Sequence, residues 1–208
     1  VHVVSSLKFA LKAQQAGVDA IVAEGFEAGG HNGRDETTTL TLIPMVRAQV
    51  SVPLIAAGGI ATGNGMMAAM ALGADGVQIG SRFVASKESS AHAAFKNAVL
   101  LAKEGDTQLT LKELTPVRLL KNKFYQDLQS LYATTPTADD LKTFLGRGRA
   151  KRGMFEGDLE KGELEIGQIS GLIDEVSSVS DIVDSIISEF KACKTRISTF
   201  NLNNQHDE

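Results

Sequence analysis

The chain has no tryptophan, one cysteine, four prolines and two tyrosines among its 208 residues. A lone cysteine, Cys193, rules out an intrachain disulfide and fits a reducing cytosol. No apolar run reaches the roughly 20 residues needed to cross a bilayer, and no secretory signal is legible. The expected location is therefore cytoplasmic, with no membrane partner. Basic charge is lacking too. Lys and Arg number 21 against 25 Asp and Glu, a formal net charge of −4, so nothing calls for nucleic acid as a partner. The histidines and the cysteine show no zinc-ligand spacing. An initiator methionine is also missing. The chain opens Val1-His2-Val3-Val4, already inside a strand-like run, so the natural protein is expected to start upstream.

What the chain has in quantity is glycine, 20 residues, clustered between Gly17 and Gly80. With 43% hydrophobic residues it can bury a core as one domain, or one domain with an appendage. From residue 1 to residue 102 one pattern recurs four times: an apolar run, a Gly- or Ser-containing loop, then an amphipathic helix. The runs are Val1–Val4, Ala20–Glu24, Leu54–Ala57 and Gly76–Ile79. The helices are expected over Leu7–Ala16, Leu40–Val50, Gly65–Leu72 and Ser90–Lys103. Ser5 or Ser6 is the N-cap of the first, and Gly17 and Gly73 close the first and third. This alternation predicts parallel βα units with right-handed crossovers and helices on one side. The runs lack in–out alternation and read as buried on both faces. Four such units are half of an eight-unit barrel or part of an open doubly wound sheet.

After Gly105 glycine thins out, and Asp106–Phe144 reads as helices with charged faces. A basic run follows, Arg147 to Arg152, best read as a solvated face. Then come an acidic, Gly-spaced stretch from Glu156 to Gly167, amphipathic helix over Gln168–Ile173 and Ile182–Phe190, and a polar, frayed tail from Thr199.

The chemistry is expected where strands end. Glu24-Gly25-Phe26-Glu27-Ala28-Gly29-Gly30-His31-Asn32-Gly33 follows the second run, Gly58-Gly59 the third and Gly80-Ser81 the fourth. Three loops spaced by single βα units must lie side by side at one end of the sheet. Bare backbone N–H groups, helix N-termini and a serine hydroxyl together suit a phosphate. In a barrel the last two βα loops form that site, which would make Val1 the start of strand five. His31, among Gly29, Gly30 and Gly33, can donate a hydrogen bond or take a proton. Glu24 and Glu27 are either cofactor contacts or solvated loop charges. His2 is read as a strand residue, His92 as first-turn helix and His206 as tail. Arg82 and Lys87 are given a modest anion-binding role. Gly63-Asn64-Gly65 lacks the Lys-Ser/Thr of a Walker loop and is read as a helix start.

These strings resemble the nitronate monooxygenase (2-nitropropane dioxygenase) family, whose signatures are shared by flavin-dependent enoyl-acyl carrier protein reductases. The segments that carry the likeness are Gly17–Gly33, Ala56–Gly65 and Leu72–Phe83, with a looser continuation to Gly167-Gln168-Ile169-Ser170-Gly171. The resemblance implies an α/β TIM (β/α)8 barrel, of which this chain carries the C-terminal half (strands five to eight), plus a helical C-terminal segment. It implies FMN held without a covalent bond, with Gly58, Gly59, Gln78, Ile79, Gly80 and Ser81 at its phosphate. Glu24, Gly29 and Gly30 would line the cofactor, and His31 would be catalytic, facing the substrate near the flavin ring.

Residues 1–104 are then the FMN-binding half-barrel, 105–166 a helical cover over the active site, 167–198 closing helices and 199–208 a tail. The expected activity is oxidation of alkyl nitronates by O2. The alternative is NAD(P)H-dependent enoyl-thioester reduction, which Ala23-Glu24-Gly25 resembles because many nitronate monooxygenases have Gln at that position. A third reading, of another class, is a non-redox phosphate-ligand barrel. Expected partners are the small-molecule substrate (a nitronate or an acyl thioester), the missing first half of the barrel, and a second copy in a homodimer.

Overall fold

A computed structural model describes residues 1–200. Most of the tail, with His206, lies outside them. The first half follows the expected alternation. The elements are β1 (His2–Val4), α1 (Leu7–Gln15), β2 (Ile21–Glu24), β3 (Gly30–His31), α2 (Thr39–Arg47), β4 (Leu54–Ala57), α3 (Gly63–Ala71), β5 (Gly76–Gln78), α4 (Ser81–Val84) and α5 (Ala93–Leu101). Strands β1, β2, β4 and β5 form one parallel sheet in that order. Local chemistry sets the helix starts. The Ser6 hydroxyl accepts the Phe9 N–H, and the Thr62 hydroxyl accepts the Gly65 N–H at 3.1 Å. The fourth helix differs from expectation. A short α4 starts directly after Gly80, and α5 begins only after His92, whose Nδ1 accepts the Ala94 N–H.

The main core lies between this sheet and α1–α3. Ile21, Leu42, Ile43, Val46 and Leu54 are all at most 1% exposed there. The expectation that every strand is buried on both faces needs correction. Residues of β2 and β4 are largely buried, but His2 and Val3 of β1 are exposed and Gln78 of β5 is exposed. The cause is position. β1 and β5 are the outer strands of the sheet, each hydrogen-bonded on one side only among the described residues.

The stretch read as helical from Asp106 begins instead with two strands, β6 (Thr107–Thr110) and β7 (Val117–Leu120). They pair antiparallel with each other, and β3 adds to β7, giving a second sheet of order β3-β7-β6. Arg118 in β7 misled the reading. It looks like a helix-face charge, yet it is 2% exposed, with Nε donating to Phe26 O and the guanidinium over the Phe26 ring. Helices then follow as expected: α6 (Lys123–Tyr132), α7 (Ala138–Leu145) and α8 (Arg149–Met154). A 3-10 turn over Gln168–Leu172 stands where amphipathic helix was expected, and α9 (Val179–Ser198) ends the described chain. No described helix is long and apolar enough to cross a membrane.

Helix α9 crosses the N-terminus of α3, where the Gly63 N–H donates to Glu189 Oε2 at 2.9 Å. A Cβ on Gly63 would overlap Ile186 O and Phe190 N, whereas one on Gly65 meets nothing closer than 3.5 Å. Two glycines in one helical turn therefore have opposite predicted effects. Gly63→Ala should lower unfolding stability by about 1–3 kcal/mol through overpacking. Gly65→Ala should raise it by up to about 1 kcal/mol through helix propensity. Urea denaturation of both variants checks the pair.

Candidate functional site

The parallel register builds the site. Glu24 pairs with Ala57 and Ala57 with Gln78, so the last residues of β2, β4 and β5 stand in one row. The glycine loops that follow lie together at the carboxyl edge, where α/β sheets bind ligands. They surround a cavity of about 250 Å³, slightly below the usual range for cofactor sites. Its walls include Glu24 from β2, Gly29 and Gly30, Gly58 and Gly59 after β4, Gln78 from β5, and Gly80 and Ser81 after it. Of the residues chosen from sequence for the cofactor, Ile79 alone does not line this cavity. Side chains alternate along a strand, so Gln78 reaches the cavity while Ile79 packs on the main core.

Gly58 and Gly59 have φ of +92° and +70°, a conformation closed to most side chains. A Cβ at Gly58 would lie 2.7 Å from Gly25 O. Among the described residues, the N–H groups of Gly59, Gly80 and Ser81 have no hydrogen-bond partner. These free donors and the small residues around them fit a phosphate. Ser81 Oγ accepts the Gly167 N–H at 3.0 Å, which leaves its own hydrogen free to donate.

Glu27 lines the cavity too, but its charge is not a solvated one. Its carboxylate accepts the Thr39 N–H at 3.0 Å and the Thr39 hydroxyl at 3.1 Å, capping the positive end of α2. Thr39 Oγ1 also lies 2.8 Å from Gly58 O and 3.2 Å from Ala57 O. Burial pushes the Glu24 carboxyl above its ordinary pKa.

His31 lies in strand β3, not in a bare loop. Gly30 and His31 are consecutive strand residues, so they point to opposite faces. Gly30 lines the glycine cavity. His31 lines a second cavity of about 280 Å³ with Leu111, Leu114, Val117, Leu145, Arg149, Glu163 and Glu165. Glu165 lines both. It belongs to a strap, Glu163–Gln168, that crosses the carboxyl edge. Leu119 and Glu165 form an antiparallel bridge, and the Gln168 N–H donates to Glu27 O at 2.9 Å. Gly29 is glycine because the strap backbone at Ile166–Gly167 fills the space a Cβ would need.

Sequence reasoning missed the strap carboxylates and Arg149. Arg149 is no solvated charge. Its guanidinium donates to the carbonyls of Phe144, Leu145 and Lys161 and stacks on the Phe124 and Phe144 rings. The likeness running to Gly167-Gln168 marked the neighbourhood, but no spacing links residue 165 to residue 30. The Arg82 side chain and the Lys87 backbone are held by the segment before α9. Arg82 bonds Glu175 and Ser177, and the Lys87 N–H bonds Ser177 O. Among the described residues, no three His, Cys, Asp or Glu side chains come together as a metal site would need.

Burial, with Glu165 nearby, pushes the Glu163 carboxyl up to about 7, and Arg149 opposes the shift. Burial raises Glu165 also, and the charge of His31 opposes that. An acid whose folded pKa is raised contributes stability below its unfolded value and loses it as pH rises through the folded one. Wild-type stability should therefore fall between about pH 4.5 and pH 7. Glu163→Gln should remove part of that fall, roughly 1–3 kcal/mol by pH 8 after allowance for partial solvent access. Urea denaturation across this pH range checks it, and parallel wild-type and variant curves would contradict it.

Comparison with known proteins agrees on the family. The family model described as nitronate monooxygenase matches residues 1–189. A curated relative, a probable nitronate monooxygenase of Staphylococcus saprophyticus, is 31% identical over 196 residues, 89% of this chain and 54% of its own length. The chain thus spans about half the length of that relative. Among solved structures, FabK from Thermotoga maritima is 42% identical with a TM-score of 0.86, covering 94% of this chain and 62% of that one. Nitroalkane oxidase from Streptomyces ansochromogenes is 30% identical with a TM-score of 0.76, covering 94% and 58%. With its signatures, its α/β fold and a family match over nearly all its length, this chain belongs to the nitronate monooxygenase family.

Proposed function

We propose that this chain is the FMN-binding half of a flavin-dependent oxidoreductase. The observation that carries the reading is the ring of unpartnered N–H groups at Gly59, Gly80 and Ser81, set around one cavity at the ends of adjacent parallel strands. In this reading β1, β2, β4 and β5 are strands five to eight of a TIM barrel. Residues 105–166 cover the site and 167–198 close it.

FMN, when bound, supplies the two-electron redox chemistry that the side chains lack. The glycine N–H groups hold its phosphate, and Ser81 adds its hydroxyl hydrogen. Glu24 and Gln78 lie further along the same edge, with Gly29 and Gly30 in the opposite wall. His31, one residue beyond Gly30, binds the substrate or takes its proton.

Two substrates fit this scaffold. Oxidation of alkyl nitronates by O2 follows the family and its curated relative. Reduction of an enoyl thioester with NAD(P)H as donor is favoured by one specific observation: identity is 42% to FabK against 30% to nitroalkane oxidase. Glu24 agrees with the second reading.

Anaerobic titration of the full-length FMN-loaded protein is the deciding experiment. Bleaching by NAD(P)H but not by an alkyl nitronate establishes the reductase reading, and the reverse establishes nitronate oxidation. A protein that cannot be loaded with FMN would overturn both and return the cradle to a non-redox phosphate ligand. His31→Ala should lower turnover by about 10²–10⁴-fold, the usual weight of a positioned acid or base, while FMN stays bound. Unchanged turnover would remove His31 from the reaction.

A further inference from the structure

The cavity beside the glycine cradle has a composition of its own. Leu111, Leu114, Val117 and Leu145 make it apolar, and His31 and Glu165 stand where it meets the cradle. Glu163 and Glu165 are two apart on an extended strap, so both face it, while Leu164 between them turns into the core. Among the described residues, neither carboxylate forms an ion pair or a side-chain hydrogen bond. Arg149, the one guanidinium in the wall, is committed to three carbonyls and lies against the stacked Phe124 and Phe144 rings. An incoming anion meets two carboxyls, with His31 beside Glu165 and Arg149 already held by three carbonyls. An alkyl chain meets four aliphatic side chains.

We propose that the His31 cavity seats the uncharged alkyl part of the substrate, and that Glu163 and Glu165 select against substrates whose tail ends in a carboxylate. The inference rests on the oxidoreductase reading for its substrate but not for its test. It applies to an alkyl nitronate and to an enoyl thioester alike, and it makes a nitronate whose tail ends in a carboxylate a poor substrate. The discrimination depends on pH. Glu163 faces Arg149 from α8 and Glu165 from its own strap. Glu165 faces His31 from β3, and Glu24 and Glu27 line the cradle side. Both strap carboxyls are raised by burial, so lowering the pH through about 7 neutralises Glu163 and weakens the repulsion.

Calorimetric titration of the full-length protein with hexanamide and with hexanoate tests this without any flavin reaction. Hexanamide should bind about tenfold more tightly at pH 8, the scale of one partly screened charge repulsion. The gap should narrow at pH 6. It should close to within about threefold in the Glu163→Gln/Glu165→Gln double variant. Leu114→Trp, which fills the cavity, should abolish hexanamide binding. Equal binding of the two probes at pH 8, a gap that survives the double variant, binding that survives Leu114→Trp, or no binding of hexanamide would each overturn the proposal. Failure of the protein to take FMN leaves these readouts intact, so the two readings fail separately.

Discussion

The site depends on a small knot of hydrogen bonds at Thr39. Its N–H and hydroxyl meet the Glu27 carboxylate, and the hydroxyl also approaches the carbonyls of Ala57 and Gly58. One residue at the start of α2 thus ties the loop after β2 to the loop after β4. Thr39 is only 7% exposed, so these charge-assisted contacts are shielded from water. Gly25 belongs to the same knot, since any side chain there would overlap Thr39 and Glu27. The glycines are placed by this packing, and the N–H groups left over are what a ligand can use.

Much of this was legible in the chain. The four βα units, their parallel pairing and the convergence of Gly30, Gly58 and Gly80 on one edge follow from run length and glycine punctuation. The roles inside the loops were not legible. Gly29 lines the cavity, but its lack of a side chain answers to the backbone of Ile166–Gly167, more than 130 positions later. Glu27 reads as a loop charge but is the cap of a helix that starts at Thr39. Such facts depend on contacts between distant segments, which no local pattern encodes.

The second sheet shows the same limit from another side. Thr107–Thr110 and Val117–Leu120 are four-residue strands, too short for periodicity to separate them from helix. Arg118 disguised one of them, because a buried guanidinium held by Phe26 and Thr107 looks in sequence like a solvated one. That sheet receives β3, and the pleat of β3 puts His31 and Gly30 on opposite sides of one wall. Two neighbouring cavities with different chemistry are the direct result of a strand two residues long.

The bond between the Gly63 N–H and Glu189 spans 126 positions, and it orders events during synthesis. Helix α3 and the strands beside it leave the ribosome long before α9 does. Until then the amino end of α3 lacks its carboxylate partner, and the surface that α9 will cover is open. Contacts between distant segments form late because closing a long loop costs entropy before any contact compensates it. The loops tied together by Thr39 can therefore assemble early, while the strap over Gly29 and the clamp at the back of α3 are among the last pieces of the described fold to close.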